Sequence, residues 1–218
     1  MEKQSLISLI LNFIFDKDIL ALIIAYLVAA VPFGLILAKL FAKVNIQNEG
    51  SKSIGATNVL RVIKERDPKL AKKLAIATIV CDALKGIIPI LIAKFLGFPP
   101  SVLWGMAVFA VLGHCFSPYL NFKGGKGIAT GAGVLACFIP LELIIALAVW
   151  FVSGKVLKIS SLASLLALVT LVAASFVLHP DMPDINSHAP IIIIAFVIFY
   201  KHIPNIKRLI TGEEKKVI

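Results

Sequence analysis

Six long apolar runs set the terms on which this chain can fold. They lie at about 19–42, 70–93, 102–120, 128–152, 159–178 and 189–203. A helix needs ~20 residues to cross the hydrocarbon core of a bilayer, fewer where it tilts or the bilayer thins. The sequence therefore reads as an all-α polytopic membrane protein. Composition agrees: 59% of residues are hydrophobic, only 16% are charged, and the mean hydropathy is +0.97. The run "LISLILNFIF" near the start is too short to cross and reads as an interfacial helix. This organises the chain as an N-terminal interfacial extension (1–18), a membrane domain (19–203) and a C-terminal tail (204–218) that completes the site. Glu2 and the lack of a small-residue cleavage site speak against a cleavable signal peptide.

The net charge of +10 sits between the apolar runs, not on a basic domain. That placement sets topology and attracts anionic lipids or anionic substrates, so no nucleic-acid partner is expected. Eight lysines and arginines lie between 43 and 73, which makes that loop cytoplasmic and the N-terminus external. Five more follow residue 200 and make the C-terminus cytoplasmic. Six spans cannot satisfy both ends. The count is repaired if run 128–152, flanked by Lys123 and Lys126 before it and Lys155 and Lys158 after it, is two short helices folded back near Pro140. Seven membrane segments result.

With that topology the polar, glycine-containing stretches converge on the cytoplasmic face. "KGGKGIAT" has the makings of an anion nest: Gly124, Gly125 and Gly127 free the backbone, Lys126 adds charge and Thr130 a hydroxyl. It is not a nucleotide-binding P-loop, because Leu120 and Gly127 occupy the places of the first glycine and the final Ser or Thr. The competing explanation is a tight inter-helix turn whose glycines, with Gly131 and Gly133, let helices approach. In the first loop Ser51, Ser53, Thr57, Asn58 and Arg61 cluster, and an arginine fork suits phosphate. Asp82 and Lys85 stand three apart inside an apolar run, either as a structural pair or as part of a site. His202 and Asn205 share a face if the last helix continues through Pro204, which would give a general base and an orienting amide. His114 is placed to line the site or to pack against backbone. "HPDMPD", His179 to Asp184, mimics an H-x4-D acyltransferase signature but falls on the opposite, external loop, and reads as accidental. Cys81, Cys115 and Cys137 sit in apolar stretches as small hydrophobes. A carrier of phosphorylated metabolites is the rival class, but the sequence has no internal repeat.

Several of these stretches together resemble the PlsY family of bacterial membrane acyl-phosphate:glycerol-3-phosphate acyltransferases. The matching elements, in order, are "GSKSIGATNVLR" (Gly50 to Arg61), Asp82-x-x-Lys85-Gly86, Gly113-His114 followed by "FKGGKGIAT", "SSLAS" with Ser161 and Ser164, and "HIPNIKRLITGEE" with His202, Asn205, Arg208, Gly212 and Glu214. The chain departs from the family pattern at Lys52, Ser53, Ile203, Pro204 and Ala30. The resemblance implies transfer of a fatty acyl group from acyl phosphate to the 1-hydroxyl of glycerol 3-phosphate, releasing lysophosphatidic acid and phosphate, in the bacterial cytoplasmic membrane. It implies catalytic roles for His202, Asn205, Ser51 and Arg61. Substrate binding would fall to Asn58, Lys126, Gly124, Gly125, Gly127, Thr130, Ser161, Lys85 and His114, with Glu214 structural. Neither metal nor cofactor is expected, the partners are the two substrates and membrane lipid, and the oligomeric state is left open, a monomer being compatible with the sequence.

Overall fold

The computed structural model describes residues 16–182 and 184–216, and every described element is helical. The expected interfacial helix at the N-terminus lies outside the described residues. Helix α1 (Lys17–Ala29) starts where the Asp16 carboxylate accepts from the Asp18 and Ile19 amides, satisfying two of the first turn's free donors. The run expected as one span is broken at Pro32, and α2 (Phe33–Ala42) completes it. A short amphipathic helix, α3 (Ala56–Lys64), precedes α4 (Pro68–Phe95), which Asp67 caps. Then follow α5 (Pro100–Cys115), a 3-10 turn (Pro118–Leu120), α6 (Ile128–Ala136), α7 (Pro140–Leu157), α8 (Ser160–Leu178) and α9 (Ala189–Ile210).

The break expected near Pro140 is present: α6 stops at Ala136 and α7 begins at Pro140. The two pieces are unequal, not a pair of short helices. At nine residues α6 is about 14 Å long, half a bilayer core, whereas α7 has spanning length. Among the described residues six stretches are long and apolar enough to cross a membrane, α1 and α2 counting as one, and α6 is added to them. α9 runs without interruption through Pro204, so the last helix carries on beyond the expected edge at 203.

Two apolar clusters hold the helices in place. The larger is built around Trp104, Met106, Leu135, Ile139, Ile191 and Ile194, with Trp104 stacked on Phe138 at 4.0 Å. The smaller joins Val44, Ile46 and Ile54 of the first loop to Val59, Val62 and Ile63 of α3 and to Ala71 and Leu74 of α4. It seats the loop and α3 over the end of the bundle, which positions the first polar motif. The outer faces carry exposed Ile76, Phe95, Ile144, Val152 and Phe196, a belt that suits lipid and not water. Of α7's eighteen residues only Glu142 and Ala146 are buried.

Candidate active site

Four separate pieces of chain meet around one cavity of about 300 Å³. The first piece is the loop before α3, and Asn58 organises it. Its Nδ2 donates to the carbonyls of Ile46 (2.9 Å), Glu49 (3.2 Å) and Ser53 (2.8 Å), while its Oδ1 accepts from the Ser51 amide (2.8 Å). Asn58 reaches the cavity wall, but its polar atoms are spent on the loop. Ser51, Ser53, Thr57 and Arg61 are thereby presented to the cavity, Thr57 and Arg61 one helical turn apart. Thr57 and Ser160 share a hydroxyl–hydroxyl bond of 3.2 Å, tying this loop to the start of α8.

The second piece is the glycine loop. Gly125 packs flat on the His114 ring, where a Cβ would collide, and its amide donates to the His114 carbonyl at 3.0 Å. Gly124 is pressed against the same carbonyl. The loop is thus docked on the last turn of α5, and only then does Gly127, at φ +84°, turn the chain into α6. Gly127, Ile128 and Ala129 line the cavity, so the first turn of α6, with its free N–H groups, faces it. Lys126 also reaches it. Burial lowers the Lys126 amine to about 8; Glu214 opposes the shift, and the charges of Arg208 and Arg61 add to it.

The third and fourth pieces interlock through Glu214. Its Oε1 accepts from Ser161 Oγ on α8 and Asn205 Nδ2 on α9, each at 2.6 Å, and its Oε2 from Arg208 Nε at 2.6 Å. Burial pushes this carboxyl up, but the three hydrogen bonds and the Arg208 charge outweigh it and hold Glu214 below the ordinary range. The tail is folded back so that it closes the site. Asn205 Oδ1 is buried and bonded to nothing among the described residues. His202 Nδ1 lies 2.7 Å from the Ile198 carbonyl, which can only accept; Nδ1 therefore carries the proton and Nε2 keeps its lone pair.

The expected residues divide cleanly. Ser51, Asn58, Arg61, His114, Lys126, Gly127, Ser161, His202, Asn205 and Glu214 all line the cavity. Gly124, Gly125, Thr130 and Lys85 do not. The two glycines are the docking contact just described. Thr130 donates its hydroxyl to the Asp82 carbonyl at 2.8 Å and is fully buried between α4 and α6. Lys85 pairs with Asp82 at 2.7 Å and donates to the Val31 carbonyl at 2.8 Å, where Pro32 leaves the backbone open. Gly133 serves close approach: a Cβ there would stand 2.5 Å from the Ala83 carbonyl of α4. His179 bonds to Glu142 at the far ends of α8 and α7, away from the cavity, in keeping with an accidental motif.

The cavity's other half left no trace in the amino-acid pattern. Leu143, Leu147 and Trp150 of α7 and Leu168 and Leu171 of α8 form an apolar arm continuous with the polar end. Nothing in a run of leucines separates a cavity wall from a lipid-facing stripe.

The fold and the site define a class: an integral membrane protein whose helices enclose a cationic, hydroxyl-rich head joined to an apolar arm. Residues 19–212 match the family model described as glycerol-3-phosphate acyltransferase. The chain is 65% identical over 202 residues to the glycerol-3-phosphate acyltransferase of Campylobacter lari, covering 93% of this chain and 100% of that one. It is 61% identical to that of Nitratiruptor sp., covering 95% and 99%. Crystal structures of PlsY (YgiH), an integral membrane glycerol 3-phosphate acyltransferase, superpose with TM-scores of 0.81 for the glycerol 3-phosphate form and 0.77 for the lysophosphatidic acid form, at 36% and 35% identity, both covering 92% of this chain and 95% of that one. The chain belongs to the glycerol-3-phosphate acyltransferase family, as its motifs suggested.

Proposed function

We propose that this protein transfers a fatty acyl group from acyl phosphate to the 1-hydroxyl of glycerol 3-phosphate at the cytoplasmic face of a bacterial cytoplasmic membrane. The observation that carries the reading is the single cavity with a phosphate-binding head and a hydrocarbon arm. Arg61, Lys126 and the first turn of α6 supply positive charge and donors for two phosphate groups, with hydroxyls from Ser51 and Ser161. The apolar arm receives the acyl chain, which sets the acyl carbonyl at the junction.

The glycerol hydroxyl oxygen attacks the acyl carbonyl carbon, the new ester C–O bond forms, and the bond from that carbon to the phosphate oxygen breaks. Lysophosphatidic acid and inorganic phosphate leave. Cations and N–H donors around the junction stabilise the oxyanion and the departing phosphate. The hydroxyl proton has two acceptors in this arrangement, Nε2 of His202 and an oxygen of the phosphate, while Asn205, bonded to Glu214, keeps the tail docked beside them. Purified full-length protein in detergent, given palmitoyl phosphate and glycerol 3-phosphate, is expected to release phosphate and lysophosphatidic acid in equal amounts. Absence of both, with donor still intact, would overturn the reading.

A further inference from the structure

The apolar arm has a direction and an end. On α8 the lining face begins with hydroxyls, Ser161 and Ser164, and passes one turn later to Ala167, Leu168 and Leu171. It stops at Leu171 although the helix continues to Leu178. The next turn on that face is occupied by Ser175, which is fully buried with its hydroxyl bonded to the Val172 carbonyl at 2.8 Å. On α7, which returns antiparallel after a two-residue connection, the lining ends at Leu143, with Ile139 and Glu142 sealed behind it at 0% exposure. On α6 it ends at Leu135.

The deepest lining residue of all three helices is therefore a leucine. Leu135 and Leu171 belong to the main core cluster at 2% and 5% exposure, so neither is free to swing away. From Ser161 to Leu171 the helix rises about 15 Å, half of the ~30 Å hydrocarbon core. The chamber is as deep as one leaflet.

From this geometry, and resting on the acyl-transfer reading above, we infer that Leu135, Leu143 and Leu171 form the floor of the acyl chamber and set the length of chain this protein transfers. Chains that reach the floor fill the arm, whereas longer ones must displace a core leucine or bend out past the partly exposed Leu147 and Trp150. Each methylene gained or refused in an apolar pocket changes selection about tenfold or more.

The test uses the full chain in detergent with glycerol 3-phosphate and an equimolar mixture of saturated acyl phosphates of graded length, the products being separated by mass spectrometry. Leu171→Ala deepens the floor and is expected to move the preferred product roughly two carbons longer, with at least a tenfold change in the long-to-short product ratio. Ala167→Phe blocks the arm one turn higher and is expected to move it shorter by a similar factor. Because each ratio is read within one reaction, a general loss of turnover cancels. Unchanged product distributions in active variants would overturn the gauge while leaving acyl transfer intact. If Leu171→Ala does not fold, Leu143→Ala tests the same floor. Failure of the wild-type protein to acylate with any donor would instead remove the reading on which the gauge rests.

Discussion

Lys126 shows how the fold changes the behaviour of one residue. In water its amine would stay charged well beyond physiological pH; here burial brings it down to about 8, and Arg208 and Arg61 push the same way against Glu214. In the proposed reaction a bound phosphate restores the missing counter-charge, so binding favours the ammonium. Below pH 8 the ammonium dominates; above it the charge, and its contribution to binding, is lost. The KM for glycerol 3-phosphate is thus expected to climb as pH rises past 8, while Lys126→Arg stays flat over that interval and Lys126→Met is weakened about 10- to 100-fold throughout. Steady-state kinetics across the alkaline range checks this, and a parallel rise in Lys126→Arg would count against it. Asn58 teaches the opposite lesson. Its family motif pointed to substrate, yet all its polar atoms hold the loop that presents Ser51 and Arg61.

At the scale of elements, the tail after α9 depends on one carboxylate. Glu214 joins α8, α9 and the tail through Ser161, Asn205 and Arg208. Glutamine keeps the size but replaces one acceptor oxygen by a donor, which faces other donors. Glu214→Gln is expected to lower kcat more than tenfold, since charge-assisted bonds contribute about 1.5–3 kcal/mol each, and to expose residues 211–216 to protease without changing membrane insertion. Because the Glu214 carboxyl is held below its ordinary value, its docking is complete above the usual carboxylate range and fades as pH falls through and below it. Helix breaks were partly legible in sequence. Charge parity located the one before Pro140, because an odd crossing was required; the one at Pro32 left no such trace, and there the Val31 carbonyl accepts from Lys85.

Across the whole molecule, the buried Asp82–Lys85 pair binds α4 to the break between α1 and α2, while Thr130 fastens α6 to the Asp82 backbone. Removing one charge strands the other in a dry interior at about 3–5 kcal/mol, while removing both costs far less. Lys85→Met is therefore expected to lower the thermal midpoint in detergent well below that of the Asp82→Asn/Lys85→Met double variant; equal midpoints would show that the pair does not bear on stability. The sequence by itself determined that the chain is a helical membrane protein with its polar motifs at one end, because hydrocarbon tolerates few charges and loop lysines report sidedness. It also named most of the head of the cavity, because the motifs that carry the family resemblance include Arg61, Lys126, His202 and Glu214. Only the tertiary structure decided which glycines dock the loop and which line the cavity, that Thr130 and Lys85 bond between helices outside its lining, and that α6, α7 and α8 enclose an apolar arm. The physical reason is that lipid and an acyl chain are the same solvent to a leucine. Its place on the wall of a chamber is fixed by what the neighbouring helices leave empty.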